Sequence, residues 1–117
     1  MKLPLQITFK GMDSSEAVEN AIRERAERLE TFFSRIMSCH VIVEAPHRRQ
    51  RQGRVYSVRI DLRIPGHEIA VSHSGPKDQA HEDVYVAIRD AFDAARRRME
   101  DHARADRGDV KSHAAAR

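Results

Sequence analysis

The sequence predicts an α+β domain in the order β-α-β-β-β-α, a four-stranded sheet with two helices packed on one face. Two observations carry this reading. Four short segments alternate apolar and polar residues with a period of two, as half-buried strands do. Two longer segments repeat apolar residues every three or four positions, as helices with a single buried stripe do. Strands with one apolar face and helices with one stripe pack most economically when both helices cover the same sheet face and the other face meets water. At 117 residues the chain is one domain long and can bury a modest core without crosslinks.

The first strand spans residues 2–9, with Leu3, Leu5, Ile7 and Phe9 on one face and Pro4, Gln6 and Thr8 on the other. Pro4 suits a strand start or a sheet edge, because proline cannot donate to the ladder. Gly11 ends the strand. Asp13 followed by Glu16 fits a capping box, and Ser14 is an equally good cap. The first helix then carries Val18, Ile22, Ala26, Leu29, Phe33 and Ile36 to about residue 35. Arg25 falls within the arc of that stripe, where a snorkelling side chain at its edge is expected.

The second strand is CHVIVEA, residues 39–45, rich in β-branched residues. A polar loop covers 46–53, and the third strand covers 54–64. In that strand Tyr56, Val58, Ile60, Leu62 and Ile64 face inward, while Val55, Ser57, Arg59, Asp61 and Arg63 face out. Pro65-Gly66 is a turn signal, residues 67–73 form a short fourth strand, and 74–80 form a loop. The second helix covers 82–103, with Val84, Ile88, Phe92, Ala95 and Met99 as its stripe. Strands two to four can form a meander. Strand one, joined to strand two by a helix, is expected to lie parallel to a neighbour. Residues 1–104 are thus read as the domain, and 105–117 as a flexible tail or the start of a linker.

Composition narrows the function. Cys39 is the only cysteine, so the chain holds no disulfide framework and no Cys-x-x-Cys metal site. A reducing compartment, the cytoplasm, is the simpler expectation. The N-terminus reads as a strand rather than a signal peptide, and no stretch approaches the ~20 apolar residues of a membrane span. The net charge is +3, and 17 of the 21 basic residues are arginine. Arginine binds phosphates bidentately and stacks on bases, which favours an anionic partner, RNA above a membrane.

No cofactor or metal is expected. The seven histidines form no metal-ligand spacing, and His67 and His73 lie roughly 20 Å apart along one strand. There is no glycine-rich phosphate loop and no marked nucleophile, so nothing points to an enzyme. The arginines fall in three groups: Arg23, Arg25, Arg28 and Arg35 on helix one; Arg48, Arg49, Arg51 and Arg54 in the loop, continuing to Arg59 and Arg63; and Arg89, Arg96, Arg97 and Arg98 on helix two. Each group alone could be a solvated face; three on one small domain have the footprint of a polyanion site. The third strand offers no outward aromatic for base stacking. Tyr56 and Tyr85 sit among core positions, so contacts to phosphate and RNA shape fit best.

Several stretches resemble the ribosome hibernation-promoting factor and ribosome-associated inhibitor family. His81-Glu82-Asp83-Val84-Tyr85, followed by Ala87-Ile88, resembles the opening of that family's last helix. Arg25-Ala26-Glu27-Arg28-Leu29-Glu30 resembles its first helix, and Arg97 followed by Met99 resembles the end of its last. The element order is the same, and the likeness covers residues 3 to 104. It implies a translation inhibitor that binds ribosomal RNA of the small ribosomal subunit through basic residues on both helices. Arg25, Arg28 and Arg97 carry over by position. Arg23, Arg35, Arg89, Arg96 and Arg98 are added from the reading of the residues, and the loop arginines are an inference from charge alone.

The chain departs from the family in being arginine-rich where family helices are usually lysine-rich. The dimerising C-terminal domain of the long forms is not expected here. MSCHVIVEAPHRR, EDVYVAIRDAFDAARR and GDVKSHAAAR resemble more closely a variant in which this domain precedes a cold-shock domain. Two alternatives stay open: a general RNA-binding module without ribosome preference, and a protein-interaction domain. Homo-oligomers are compatible with the sequence but not implied.

Overall fold

The computed structural model describes residues 4–45, 56–74 and 83–106. The elements are β1 (Leu5–Lys10), α1 (Glu16–Phe32), β2 (Ser38–Glu44), β3 (Ser57–Ile64), β4 (His67–Ser74) and α2 (Val84–Asp106), in the expected β-α-β-β-β-α order. The strands form one sheet in the order β1-β2-β3-β4. β1 pairs parallel with β2, Leu5 opposite Cys39 and Lys10 opposite Glu44. β2, β3 and β4 form the antiparallel meander, with Val41 opposite Ile60 and Ile60 opposite Val71. Pro4 stands just ahead of an edge strand, where its missing N–H breaks no ladder, and its carbonyl accepts from the Cys39 amide at 3.0 Å.

The core lies between one sheet face and the two helices. Val41 and Val43 of β2, Val58, Ile60 and Leu62 of β3, and Ile69 and Val71 of β4 meet Val18, Ile22, Ala26 and Leu29 of α1 and Ala87, Ile88, Ala91, Phe92, Ala95 and Met99 of α2. Fully burying an Ile or Leu of this kind contributes about 1.5–3 kcal/mol, so the inward alternation fixes the register of every strand. Leu5, Ile7 and Phe9 of β1 are only half-buried at the sheet margin. The opposite face is polar. Thr8 Oγ1 and His40 Nε2 are hydrogen-bonded at 2.9 Å, Arg59 pairs with Asp61 at 3.0 Å, and Arg63 pairs with Glu68 at 3.5 Å.

Several boundaries differ from the sequence reading. Ser15, not Asp13 or Ser14, caps α1: it is extended, and its hydroxyl accepts from the Val18 amide at 3.3 Å. Glu16 is therefore the first helical residue rather than the partner in a capping box, and its carboxylate still favours a helix N-terminus. The helix stops at Phe32, with the Phe33 amide bonded to the Leu29 carbonyl at 2.9 Å. Ile36 is buried from the turn that follows, and Arg35 lies in that turn rather than on the helix. α2 runs on to Asp106. Tyr56 packs against the core as expected, but Tyr85 is 44% exposed. It lies in the first turn of α2, on the flank beside the buried stripe. The expected loops at 46–53 and 74–80, the start of the third strand before Tyr56 and the tail beyond Asp106 fall largely or wholly outside the described residues. The Pro65-Gly66 turn has Gly66 at φ +74°, the left-handed backbone that a Pro-Gly type II turn requires.

Burial in β2, and secondarily the negative charge of Asp61, push the Cys39 thiol up from 9.0 to about 12. The folded chain keeps the thiol neutral where the unfolded chain ionises it. This contribution is complete below pH 9.0 and is lost as pH rises from there towards about 12. Between about pH 8 and about pH 10.5, the urea midpoint of the wild-type chain should fall further than that of a Cys39→Ala variant. Equal falls in urea titrations at the two pH values would contradict the assignment.

Candidate nucleic-acid interface

The two helices run side by side in the same direction. β1 and β2 are parallel neighbours, so α1 must run back against both. β4 points the same way as β2, and α2 runs back against β4: His67 at the start of β4 stacks on His102, and His73 near its end lies 3.7 Å from Asp90. The His67 and His102 ring centroids are 4.6 Å apart. The helices touch directly where the Arg96 guanidinium lies over the Phe32 ring, 4.3 Å from its centroid.

That contact identifies the facing flanks. On α1, Ala21, Arg25, Arg28 and Phe32 follow the i, i+4, i+7, i+11 spacing of one helical stripe. On α2, Tyr85, Arg89, Phe92 and Arg96 follow the same spacing. Phe92 turns into the core; Tyr85, Arg89 and Arg96 stay exposed. Arg25 is half-buried, as a snorkelling arginine should be. The two stripes line a groove between the helices that carries Arg25, Arg28, Arg89 and Arg96, with exposed Tyr85 at its N-terminal end and exposed Phe32 at its C-terminal end. Arg97 sits opposite the buried stripe of α2, pointing away from the sheet.

The remaining arginines are distributed otherwise. Arg23 lies on the far side of α1 and bonds Asn20 at 3.4 Å. Arg98 turns to the sheet edge and donates to the Ala70 carbonyl at 3.3 Å, covering part of the free edge of β4. Arg35 lies beyond α1 at the end of the helix pair. Arg48, Arg49, Arg51 and Arg54 fall outside the described residues. The structure thus brings Arg25, Arg28, Arg89 and Arg96 to one groove, with Arg97 alongside, and separates Arg23 and Arg98 from it. Of the exposed aromatics, Phe32 was missed in the sequence reading and Tyr85 was assigned to the core, although their spacing to Arg25 and Arg89 was there to be found.

Most of these arginines have acidic neighbours. Arg28 lies 3.6 Å from Glu24, Arg89 3.1 Å from Asp90, and Arg96 3.1 Å from Glu100. All are solvent-exposed pairs of the kind that contribute about 0–1 kcal/mol, so a phosphate can displace them. Among the described residues, no hydrogen bond or ion pair holds Arg25 or Arg97. The chain as a whole is only modestly basic, with a net charge of +3. Among the described residues, no cluster of three or more His, Cys, Asp or Glu could hold a metal ion, and no helix is long and apolar enough to cross a membrane.

These features define a class: a small α+β domain whose exposed helix pair presents arginine and aromatic side chains in one groove. Residues 5–107 match the family model described as sigma 54 modulation protein / S30EA ribosomal protein, and the chain belongs to that family. The fold is similar to a ribosomal subunit interface protein from Coxiella burnetii, at a TM-score of 0.68 and 17% identity, covering 86% of this chain and 97% of that one. It is also similar to the N-terminal domain of Protein Y from Thermus thermophilus, at a TM-score of 0.58 and 16% identity, covering 84% and 94%. No curated protein matches the chain by sequence. The family is the one that the helix motifs and element order resembled.

Arg97 is exposed and, among the described residues, unpaired, so Arg97→Ala should change stability by no more than about 0.5 kcal/mol, whereas Arg25→Ala also removes a half-buried stem and should cost about 1 kcal/mol. Urea denaturation of the two variants checks this, and a loss above about 1.5 kcal/mol would make either arginine structural.

Proposed function

We propose that the protein is a ribosome-associated translation inhibitor of the hibernation type, working in the cytoplasm by binding rather than catalysis. It contacts ribosomal RNA of the small subunit through Arg25, Arg28, Arg89, Arg96 and Arg97. The observation that carries this reading is the convergence of two arginine-bearing stripes on one groove, in a chain of the S30EA family. A rigid pair of helices presents charge at fixed spacing, which suits a structured RNA backbone better than a flexible tail does. Arg48, Arg49, Arg51 and Arg54 are added to the proposed contacts on sequence charge alone, and Arg35 flanks the end of the groove. Arg23 and Arg98 are assigned no contact, the first because it faces away and the second because the β4 edge holds it.

The test is cosedimentation with small subunits, large subunits and whole ribosomes at about 150 mM salt, where screening acts over roughly 8 Å, with excess unrelated structured RNA as competitor. Saturable pelleting with small subunits and whole ribosomes that survives the competitor is expected. Reversing charge at Arg25, Arg28 and Arg97 together should weaken it strongly and flatten the salt dependence of what remains by roughly 0.7–0.9 log units per lost phosphate contact. The thermal transition should be nearly unmoved. Pelleting that the competitor removes would make this a general RNA module. Full binding by the triple variant would overturn the site.

A further inference from the structure

Beyond the arginine groove, at the shared C-terminal end of the two helices, lies a cavity of about 290 Å³. Its lining includes Phe32, Phe33, Pro65 and Met99, with Arg35 and His102 among its polar groups. The volume is near the lower limit of roughly 300 Å³ for small-molecule sites, enough for one flat ring system and little more. Phe32 forms part of the wall and is 58% exposed, so much of its ring remains open to solvent. The Arg96 guanidinium covers part of that ring, 4.3 Å from its centroid. An exposed aromatic plane beside cations, at the end of an arginine-lined groove, matches how proteins hold single-stranded nucleic acid. There the bases stack on aromatic rings or guanidinium planes while basic residues follow the backbone.

We infer that this cavity takes one unpaired base of a single-stranded RNA segment, stacked on Phe32, with the adjoining phosphate at Arg96 and Arg35. The inference rests on the reading of the groove as an RNA site and adds to it a base contact where the sequence suggested phosphate contacts alone. Charge decides between occupants. A peptide seated on Phe32 and Met99 would bring its apolar residues against a rim of arginine and histidine, whereas a nucleotide supplies a ring for the apolar wall and an anion for the rim. The Arg96–Glu100 pair is exposed, at 48% and 46%, and such pairs yield readily to a phosphate.

The chain has no tryptophan, so Phe32→Trp places a single fluorophore at the stacking position and retains an aromatic plane. The probe is an unstructured RNA of mixed sequence, about ten nucleotides long, within the range of single-strand site sizes. The Phe32→Trp emission should be quenched saturably. Phe32→Ala and Phe32→Leu should each weaken binding of the labelled oligonucleotide by about five-fold or more, the lower end for one stacked base. Leucine keeps an apolar side chain without the ring, so its loss separates stacking from simple burial. Absent quenching, or affinities of the Ala and Leu variants within about two-fold of wild type, would overturn the inference. If Phe32→Ala lost ribosome binding while the oligonucleotide left Phe32→Trp unquenched, Phe32 would serve the ribosomal contact without stacking a single-stranded base, and the inference would again fall. The two readings fail separately. If the wild-type chain ignores ribosomes while Phe32→Trp is quenched by the oligonucleotide, only the ribosomal reading falls; if the wild-type chain pellets with small subunits while Phe32→Trp is not quenched, only the base site falls.

Discussion

Because β1 and β2 are parallel neighbours, the chain must travel back along the sheet between them, and it does so as α1. Because β4 ends pointing the same way as β2, the chain must turn back again, and it does so as α2. Both helices bury their apolar stripes on the same sheet face, so they lie parallel and in contact. The proposed site follows from that packing: a groove bounded by α1 on one side and α2 on the other, whose side chains are set by helical spacing. No loop is needed to bring Arg25 and Arg28 to the same groove as Arg89 and Arg96. Each stands a fixed number of turns from Phe32 or from Arg96, the two residues in direct contact.

The same packing separates arginine from acid on α1, which matters for an anionic partner because the net charge of the chain is only +3. α1 carries Glu16, Glu19, Glu24, Glu27 and Glu30, all outside its buried stripe and outside the stripe that faces α2. Arg25 and Arg28 occupy the groove side. The helix is thus divided lengthwise into a buried stripe, an arginine and aromatic stripe, and an acidic one. Net charge governs long-range steering, but contact energy depends on local arrangement, and exposed acid–arginine pairs contribute little against a phosphate. The acidic outer stripe can also discourage non-specific RNA binding on that side, since like charges brought together are costly.

The fold was legible because every element obeys the period of its own geometry. Ile60, Leu62 and Ile64 alternate strictly, and Ile88, Phe92, Ala95 and Met99 recur at helical spacing, so strand faces and helix stripes could be assigned without tertiary information. The cap was misplaced because Asp13, Ser14 and Ser15 are all competent N-caps, and only the position of Val18 over the sheet selects Ser15. Tyr85 was misjudged because its flank borders the buried stripe. Which side of α2 is covered depends on the lateral offset of α1, and no local pattern encodes that offset. For the same reason Arg23 and Arg28 look equivalent in sequence yet stand on opposite sides of α1. The Phe32 cavity was hidden altogether: it joins residues from the end of α1, the β3–β4 turn and the last third of α2.

The most direct test of this account is hydroxyl-radical footprinting of side chains, free and bound to small subunits. The account predicts that Phe32 and Tyr85, both exposed in the free protein, become protected on binding, while His40 and Ile42 on the polar sheet face keep their reactivity. Protection of His40 and Ile42 with Phe32 and Tyr85 unchanged would place the partner on the opposite side of the molecule and contradict the groove as the site of contact.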